Sequence, residues 1–111
     1  MKRYCFDIDG TICRQSKLNG YATAFPYEDR INLINQLYDD ENYIIYLTAR
    51  GMLTCNGDIS EANKKWYDIT LNQLKDWGCK FHELHLGKPS ADYYIDDKGI
   101  SDKNFFEKLW I

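Results

Sequence analysis

Two aspartates separated by one residue lie at the end of the first apolar run of the chain. The run covers residues 3–8, RYCFDI, and it places Asp7 and then Asp9 at its carboxyl end. A carboxylate can attack phosphorus and form an aspartyl phosphate. A second acid two residues away can protonate the leaving oxygen and later activate water. Asp7 and Asp9 are therefore candidates for a nucleophile and a general acid/base.

Other polar residues follow apolar runs further along the chain. Thr48 ends YIIYLT, Lys88 comes after KFHELHL, and Asp96 and Asp97 come directly after DYYI. A hydroxyl and an ammonium group can hold phosphate oxygens as charge moves during phosphoryl transfer. Each of these residues alone has an ordinary explanation, as a strand residue, a solvated charge or part of a turn. Their ordered placement is what favours a functional site.

A cluster of carboxylates of this kind requires a cation. Like charges raise one another's pKa, so several acids at one place do not all stay ionised without a positive partner. Hard oxygen ligands and a phosphate substrate favour Mg²⁺. Arg50 follows Thr48 in the same loop. It could hold an anionic group of the substrate or be a plain surface arginine, and the sequence leaves both interpretations open.

The elements that must position these residues alternate between strands and helices. We predict buried strands over residues 3–8, 43–48, 80–86 and 92–95, a helix from Pro26 to about Glu41, and a helix from Asp58 to Gly78. This alternation predicts an α/β fold with a Rossmann-like parallel sheet flanked by helices. Such sheets bind ligands at the carboxyl ends of their strands, so the candidate residues would converge at one edge.

Local signals mark the ends and faces of these elements. Asp58 and Glu61 resemble a capping box, and Gly78 is placed to end the helix that they open. Residues 10–25 show no sustained period and predict a loop, with a small hairpin as an option. The predicted buried face of the second helix, and of a last short helix, is aromatic and aliphatic: Trp66, Ile69, Leu74 and Trp77, then Phe105, Phe106, Leu109 and Trp110.

In their order, these motifs resemble those of the haloacid dehalogenase (HAD) superfamily. Residues 7–11, DIDGT, are similar to its DxDGT signature. The family also expects a Ser or Thr ending the next core strand, then a Lys, then a pair of acids after an apolar strand. Thr48, Lys88 and the pair Asp96-Asp97 match in that order, and the resemblance covers residues 4–102. The family's fold is a Rossmann-like sheet, in agreement with the alternation of elements.

The resemblance implies a role for each matching residue. Asp7 would be the nucleophile and a Mg²⁺ ligand, and Asp9 would be the general acid/base, with its backbone carbonyl on the metal. Thr48 and Lys88 would bind the phosphoryl group, and Lys88 would also shield Asp7. The acid at position 9 implies a phosphatase, because family members that act on carbon–halogen bonds or phosphonates lack an acid there.

The acid pair implies the rest of the metal site. One of Asp96 and Asp97 would coordinate Mg²⁺. Asp97 is favoured, since Asp97-x4-Asp102 fits a spacing familiar in the family. Asp96 would then support the water shell of the metal or the side chain of Lys88.

Many members of the family carry a cap domain over the site, and this chain has no room for one. Both insertion points are occupied by elements of the core fold, which implies a capless HAD-type core. Water must then be excluded by the 12–25 loop, the 51–57 loop, a large substrate or a second subunit. Tyr21, Phe25 and Tyr27 would suit a subunit contact, so we expect a homo-oligomer, either a dimer or a tetramer.

Composition sets the general class. With 111 residues, 44% of them hydrophobic, and a net charge of −3, the chain fits one soluble domain over residues 1–111. No basic run would capture nucleic acid by charge. The N-terminal segment reads neither as a signal peptide nor as a membrane span, so we expect a cytoplasmic protein with no membrane partner and with reduced cysteines.

Other classes share parts of this pattern. A signalling receiver domain has similar length and a Lys-Pro like Lys88-Pro89, but it places its acid pair early and its phosphoacceptor Asp in the middle of the chain. A nucleotide or nucleic-acid end phosphatase also uses DxDGT, and the lack of a basic patch disfavours nucleic acid. Small capless proteins with DIDGT and IDDK-like motifs resemble bacterial capsular-polysaccharide biosynthesis phosphatases, which implies a small phosphorylated substrate such as a sugar phosphate.

Overall fold

A computed structural model describes residues 1–16 and 20–108. In chain order its elements are β1 (Arg3–Asp7), β2 (Cys13–Ser16), β3 (Gly20–Pro26), α1 (Glu28–Asp39), β4 (Tyr43–Thr48), α2 (Ile59–Asp76), β5 (Glu83–Leu86) and a C-terminal π-helical turn (Asn104–Lys108). β1, β4 and β5 form a parallel sheet with β4 at its centre, while β2 and β3 form an antiparallel hairpin. The predicted α/β, Rossmann-like class is confirmed.

The register of the sheet brings the strand ends together. Asp7 pairs with Leu47, and Thr48 pairs with Leu86, so the carboxyl ends of the three strands lie side by side. Every second residue of β4 is buried, as expected for the central strand of a covered sheet. The sheet therefore offers one edge at which polar residues from three strands can meet.

The hairpin that follows β1 realises the optional hairpin predicted for residues 10–25. Its register pairs Cys13 with Pro26 and Arg14 with Phe25. Cys13 is fully buried, whereas Phe25 is 63% exposed. At the base of the hairpin, the N–H of Tyr27 donates to the carbonyl of Ile12 at 2.8 Å. The first helix, α1, begins at the next residue.

The first helix is shorter than predicted. It begins at Glu28, because Pro26 still belongs to β3, and Ile31, Ile34 and Leu37 are its buried residues. α1 packs against β4, and α2 packs against β5. Within the described part of the chain, no helix combines the length and the apolar character that a membrane span requires.

The second helix confirms both predicted ends. The carboxylate of Asp58 accepts a hydrogen bond from the Glu61 N–H at 3.2 Å, and Gly78 follows the helix with a φ of 75°. The predicted buried face is wrong at Ile69, which is 40% exposed. Thr70 is buried instead. Residues four positions apart lie on the same face of a helix, so position 70 shares the buried face with Leu74, and position 69 does not.

The fourth strand predicted over residues 92–95 is wrong. Residues 89–101 are exposed and form no strand. The hydroxyl of Tyr94 donates to the carbonyl of Pro89 and accepts from the N–H of Ala91. These local bonds fold the segment back on itself, so its backbone is not extended along β1. An apolar run of four residues thus gives no strand when a side chain satisfies neighbouring backbone groups instead.

The C-terminal turn packs on the sheet as predicted. Phe105 is buried, and its ring centroid lies 5.5 Å from that of Phe6 on β1 and 5.9 Å from that of Tyr4. Asp102, just before the turn, accepts a hydrogen bond from Arg30 at 2.7 Å. The predictions for Leu109 and Trp110 lie outside the described residues.

Candidate active site

Several predicted site residues line one cavity at the carboxyl edge of the sheet. The cavity has a volume of about 320 Å³. The predicted residues in its lining come from the ends of the three strands and from the loops that follow them: Asp7, Asp9, Thr48, Arg50 and Lys88. The structure therefore brings together the two early acids, the hydroxyl and both cations.

Asp7 lies between a hydroxyl and an ammonium group. Thr11 Oγ1 donates to Asp7 Oδ2 at 3.2 Å, and Lys88 Nζ lies 3.4 Å from Asp7 Oδ1. Burial raises the pKa of the Asp7 carboxyl, and the positive charge of Lys88 opposes that rise. The Asp7 side chain is still 31% exposed and faces the cavity, so a carboxylate oxygen is available to a ligand.

Asp9 is bound at both of its carboxylate oxygens by a buried arginine. Arg50 Nε donates to Asp9 Oδ2 at 2.9 Å, and Nη2 donates to Oδ1 at 3.0 Å. Arg50 Nη1 also donates to Thr70 Oγ1 on α2 at 3.2 Å. Because Arg50 is only 1% exposed, the interpretation of it as a surface arginine is wrong. The bidentate pair fixes both the position and the plane of the Asp9 carboxylate.

The chain turns sharply after Arg50, and a glycine makes this turn possible. Gly51 has a φ of 78°, and a Cβ at this position would lie 2.5 Å from Trp66 Cδ1. The N–H of Arg50 donates to Thr48 Oγ1 at 3.1 Å. Thr48 is only 1% exposed, and its hydroxyl keeps its own proton as a donor. The turn therefore sets the orientations of the threonine and the arginine together.

Lys88 connects the sheet to the exposed segment that follows β5. Its N–H donates to the carbonyl of Thr48 at 3.2 Å, which continues the pairing of β4 with β5. Its Nζ lies near Asp7 and 4.2 Å from the centroid of the Tyr94 ring. A cation over an aromatic face is attracted by the quadrupole of the ring. The ammonium group is thus held between a carboxylate and an aromatic ring.

Further residues line the cavity, among them Tyr21, Leu53, Ser90 and Tyr94. Tyr21 and Leu53 belong to the 12–25 and 51–57 segments that the sequence offered as covers of the site, whereas Ser90 and Tyr94 were not identified. The ring of Tyr21 lies 4.8 Å from that of Trp66 and 5.0 Å from the Arg50 guanidinium carbon. The subunit contact expected for Tyr21 stays a prediction. For Tyr94 the apolar run indicated a buried strand, which hid its position at the cavity.

The second acid pair lies elsewhere. Asp96 and Asp97 are exposed and do not line the cavity. The N–H of Lys98 donates to Asp96 Oδ1 at 2.8 Å and, as the first cause, lowers the pKa of that carboxyl. Among residues 1–16 and 20–108, no three His, Cys, Asp or Glu side chains are grouped so that they could hold a metal ion.

The residues present therefore do not form the predicted Mg²⁺ ligand set in this arrangement. Asp7 offers a carboxylate at the cavity, and Asp9, whose backbone carbonyl is the predicted ligand, lines the same cavity. The predicted ligand Asp97 is on an exposed segment that does not line it. The assignment of Asp7, Asp9, Asp96 and Asp97 to a metal site stays a prediction.

Comparisons with known proteins support the fold. The chain matches no protein-family model and no curated protein. It is similar to a crystal structure of a structural-genomics target from Vibrio cholerae, with 27% sequence identity and a TM-score of 0.87. The match covers 96% of this chain and 89% of that chain, so the same architecture extends over nearly the whole of both.

Proposed function

We propose that this protein is a phosphatase that hydrolyses a small phosphate monoester through an aspartyl-phosphate intermediate on Asp7. The observation that supports it most is the placement of the Asp7 carboxylate at the carboxyl end of β1, 3.4 Å from Lys88 Nζ and facing a cavity that Asp9 and Thr48 also line. A nucleophile, a proton carrier and two groups suited to phosphate oxygens thus meet at one place.

The proposed reaction has two displacements at phosphorus. First, an Asp7 oxygen forms a bond to phosphorus while the ester P–O bond breaks, and the leaving oxygen takes a proton from Asp9. Second, water attacks the phosphorus of the aspartyl phosphate, Asp9 takes the proton of that water, and the Asp7 carboxylate is released with inorganic phosphate. The first step begins with Asp9 protonated, and the second step returns it to that state; in the structure its two oxygens accept hydrogen bonds from Arg50.

Thr48 and Lys88 are suited to hold the phosphoryl oxygens. The Thr48 hydroxyl has a free proton to donate, since its oxygen accepts from the Arg50 N–H. Lys88 supplies a full positive charge next to Asp7, which reduces the repulsion between that carboxylate and an incoming phosphate. Preorganised donors of this kind stabilise charge that develops in the transition state.

Mg²⁺ dependence is the part of the proposal that rests on the sequence alone, through the cluster of acids and the family resemblance. The described arrangement leaves the ligand set incomplete, so no step above is assigned to a metal ion. Asp97 and Asp96 remain the candidate ligands to complete it, and their segment would have to move toward Asp7 to do so.

The size and charge of the cavity favour a small substrate. A volume of about 320 Å³ is near the lower end of the usual range for ligand pockets, roughly 300 to 1,000 Å³. Its two cations, Arg50 and Lys88, each lie beside an acid. A nucleic-acid end phosphatase would need further cations for the neighbouring phosphates.

The test is release of inorganic phosphate from a panel of phosphorylated metabolites. The purified protein is assayed with Mg²⁺ and after exhaustive chelation, beside the Asp7→Asn variant prepared in parallel. We expect turnover of at least one monoester that needs Asp7 and Mg²⁺. Full activity of Asp7→Asn, with reversion of the amide to the acid excluded by mass spectrometry, would disprove the nucleophile; activity that survives chelation would disprove the metal requirement.

A further inference from the structure

We propose that Tyr21 and Tyr94 determine the specificity of this site, and that they select a monoester whose leaving group is an uncharged ring compound carrying a single phosphate. This inference rests on the proposed phosphatase function and concerns the half of the substrate that leaves. The two tyrosines line the same cavity as the proposed nucleophile, and neither belongs to the predicted catalytic set.

The charges at the cavity point to a substrate with one phosphoryl group. Lys88 faces Asp7 at 3.4 Å, and Arg50 is held by both oxygens of Asp9. The lining residues thus contain two acids and two bases, and both bases already have an acid beside them. A second phosphate or a carboxylate on the leaving group would find no free cation among the lining residues, and its desolvation would cost free energy without compensation.

The walls next to these charges are aromatic and apolar. Tyr94 lies over Lys88 Nζ at 4.2 Å, so its ring is adjacent to the position at which the phosphoryl group is proposed to bind. Tyr21 lies over Arg50 on the part of the cavity near Asp9. Leu53 adds an apolar side chain that is 78% exposed. A group esterified to the bound phosphate therefore meets ring faces and methyl groups, which suit the flat apolar face of a ring compound.

The two rings are held in different ways. Tyr21 packs edge-on against Trp66 of α2, and its carbonyl accepts from Gln73 Nε2 at 2.7 Å. The Tyr94 hydroxyl bonds only to the backbone of Pro89 and Ala91, within its own segment. Tyr21 therefore needs no ordering when a ligand binds, and its contact with the leaving group loses little entropy.

The two rings also explain how a site without a cap domain can select its substrate. In a capless core, no inserted domain surrounds the leaving group. The hairpin β2–β3 carries Tyr21, and the segment after β5 carries Tyr94, so two aromatic side chains from different parts of the chain line the cavity. Selection would then depend on these two rings.

The experiment compares kcat and KM for four monoesters in saturating Mg²⁺: a hexose monophosphate as the uncharged ring compound, glycerol phosphate as an uncharged open chain, phosphoserine as a charged leaving group, and a hexose bisphosphate as a ring compound with a second phosphate. The wild-type protein is expected to have its highest kcat/KM with the hexose monophosphate. Tyr94→Ala is expected to lower that kcat/KM about three- to tenfold, mainly through KM, because an aromatic contact contributes about 0.5–1.5 kcal/mol.

Matched variants separate a specificity role from a structural one. Tyr94→Phe keeps the ring but removes the hydroxyl that bonds to Pro89 and Ala91, so it should retain more of the hexose preference than Tyr94→Ala does. Tyr21→Leu should reduce the preference as Tyr94→Ala does. Tyr93→Ala removes a neighbouring tyrosine that is 84% exposed and does not line the cavity, so it should leave both constants unchanged. Glycerol phosphate should change less than twofold in every variant, which also shows that the variants are folded.

Failure of this inference differs from failure of the proposed function. If the wild-type protein hydrolyses none of the monoesters, the phosphatase proposal fails. If it hydrolyses them but prefers phosphoserine or the bisphosphate, the inference about charge is overturned. If the hexose preference survives both Tyr94→Ala and Tyr21→Leu, the two rings do not determine specificity.

Discussion

The two halves of the candidate site are held in different ways. On one side, Asp9, Thr48 and Arg50 form a buried polar cluster in which Arg50 and Thr48 are each only 1% exposed. On the other side, the segment 89–101 is exposed, and its recorded hydrogen bonds are made to neighbours within about five residues. The polar cluster is tied to β1, β4 and α2, whereas the exposed segment follows β5 and is held by local bonds.

This difference indicates which half of the site can change its conformation when a ligand binds. Burying a charged pair costs desolvation, and the fold recovers it through the geometry of the bonds between Asp9 and Arg50. An exposed segment with few buried contacts lies at the low-stability end of a protein, so a ligand can shift its conformation at small cost. The conformation of the buried cluster should therefore stay the same when a ligand binds, and the conformation of the segment that carries Asp96 and Asp97 should change.

The largest expected effect is on catalysis at the boundary between these halves. Asp7→Asn replaces a carboxylate by an amide, which is no nucleophile, so turnover should fall by at least about 10³-fold. Steady-state assay of the best substrate measures the loss. Asp39→Asn is the matched control, because Asp39 forms a surface ion pair with Lys80 and lies away from the cavity; it should retain full turnover.

The buried cluster predicts a large effect on stability. Arg50→Met leaves Asp9 without its bidentate partner, and the Asp9 side chain is only 20% exposed. We expect a loss of about 2–4 kcal/mol in the free energy of unfolding, measured by urea denaturation. Arg3→Met is the control: Arg3 is 57% exposed and lies 3.7 Å from Glu83, so it should cost less than about 1 kcal/mol. Equal losses in the two variants would contradict the assigned role of the cluster.

The exposed segment predicts the opposite behaviour. Asp97→Asn should change the free energy of unfolding by less than about 0.5 kcal/mol, because surface substitutions rarely do more. Its Mg²⁺ affinity should nevertheless fall about 10- to 100-fold if Asp97 joins the metal site. Titration calorimetry measures that affinity. Asp92→Asn, on the same segment, should leave both quantities unchanged; an unchanged Mg²⁺ affinity in Asp97→Asn removes this residue from the ligand set.

The same contrast explains what could be predicted from the sequence. The strand ends Asp7 and Thr48 were placed correctly, because the apolar strands and helical stripes that position them have strong periodicity. Ile69 was misplaced by one position, since two neighbouring positions both fit a helical face. The strand at 92–95 failed because periodicity does not register competing local hydrogen bonds such as those of Tyr94.

Arg50 shows a different limit. Its burial depends on the φ of Gly51 and on the approach of Trp66 from α2, neither of which has a signature in one sequence. The bidentate bond to Asp9 spans 41 positions along the chain. Contacts of this range follow from the packing of complete elements, so a motif predicts only that the arginine is near the site.

The smallest expected effect is on how the stability of the fold depends on pH, and it has opposite signs in the two halves of the site. Burial raises the pKa of Asp7, whereas the Lys98 N–H first of all lowers that of Asp96. The ionised form of Asp7 therefore destabilises the fold, and this cost appears as pH rises above 3.8, the ordinary pKa of an aspartate. The ionised form of Asp96 stabilises it, and this gain is present above 3.8 and is lost as pH falls through the lowered pKa.

In chelator, Asp7→Asn should thus raise the urea midpoint slightly at pH 7 and leave it nearly unchanged at about pH 3, since the amide resembles the protonated acid. Asp96→Asn should lower the midpoint slightly at pH 7, with the difference shrinking at about pH 3. The two variants therefore differ in sign at neutral pH. Shifts of the same sign would show that burial and local hydrogen bonding do not separate the site into these two halves.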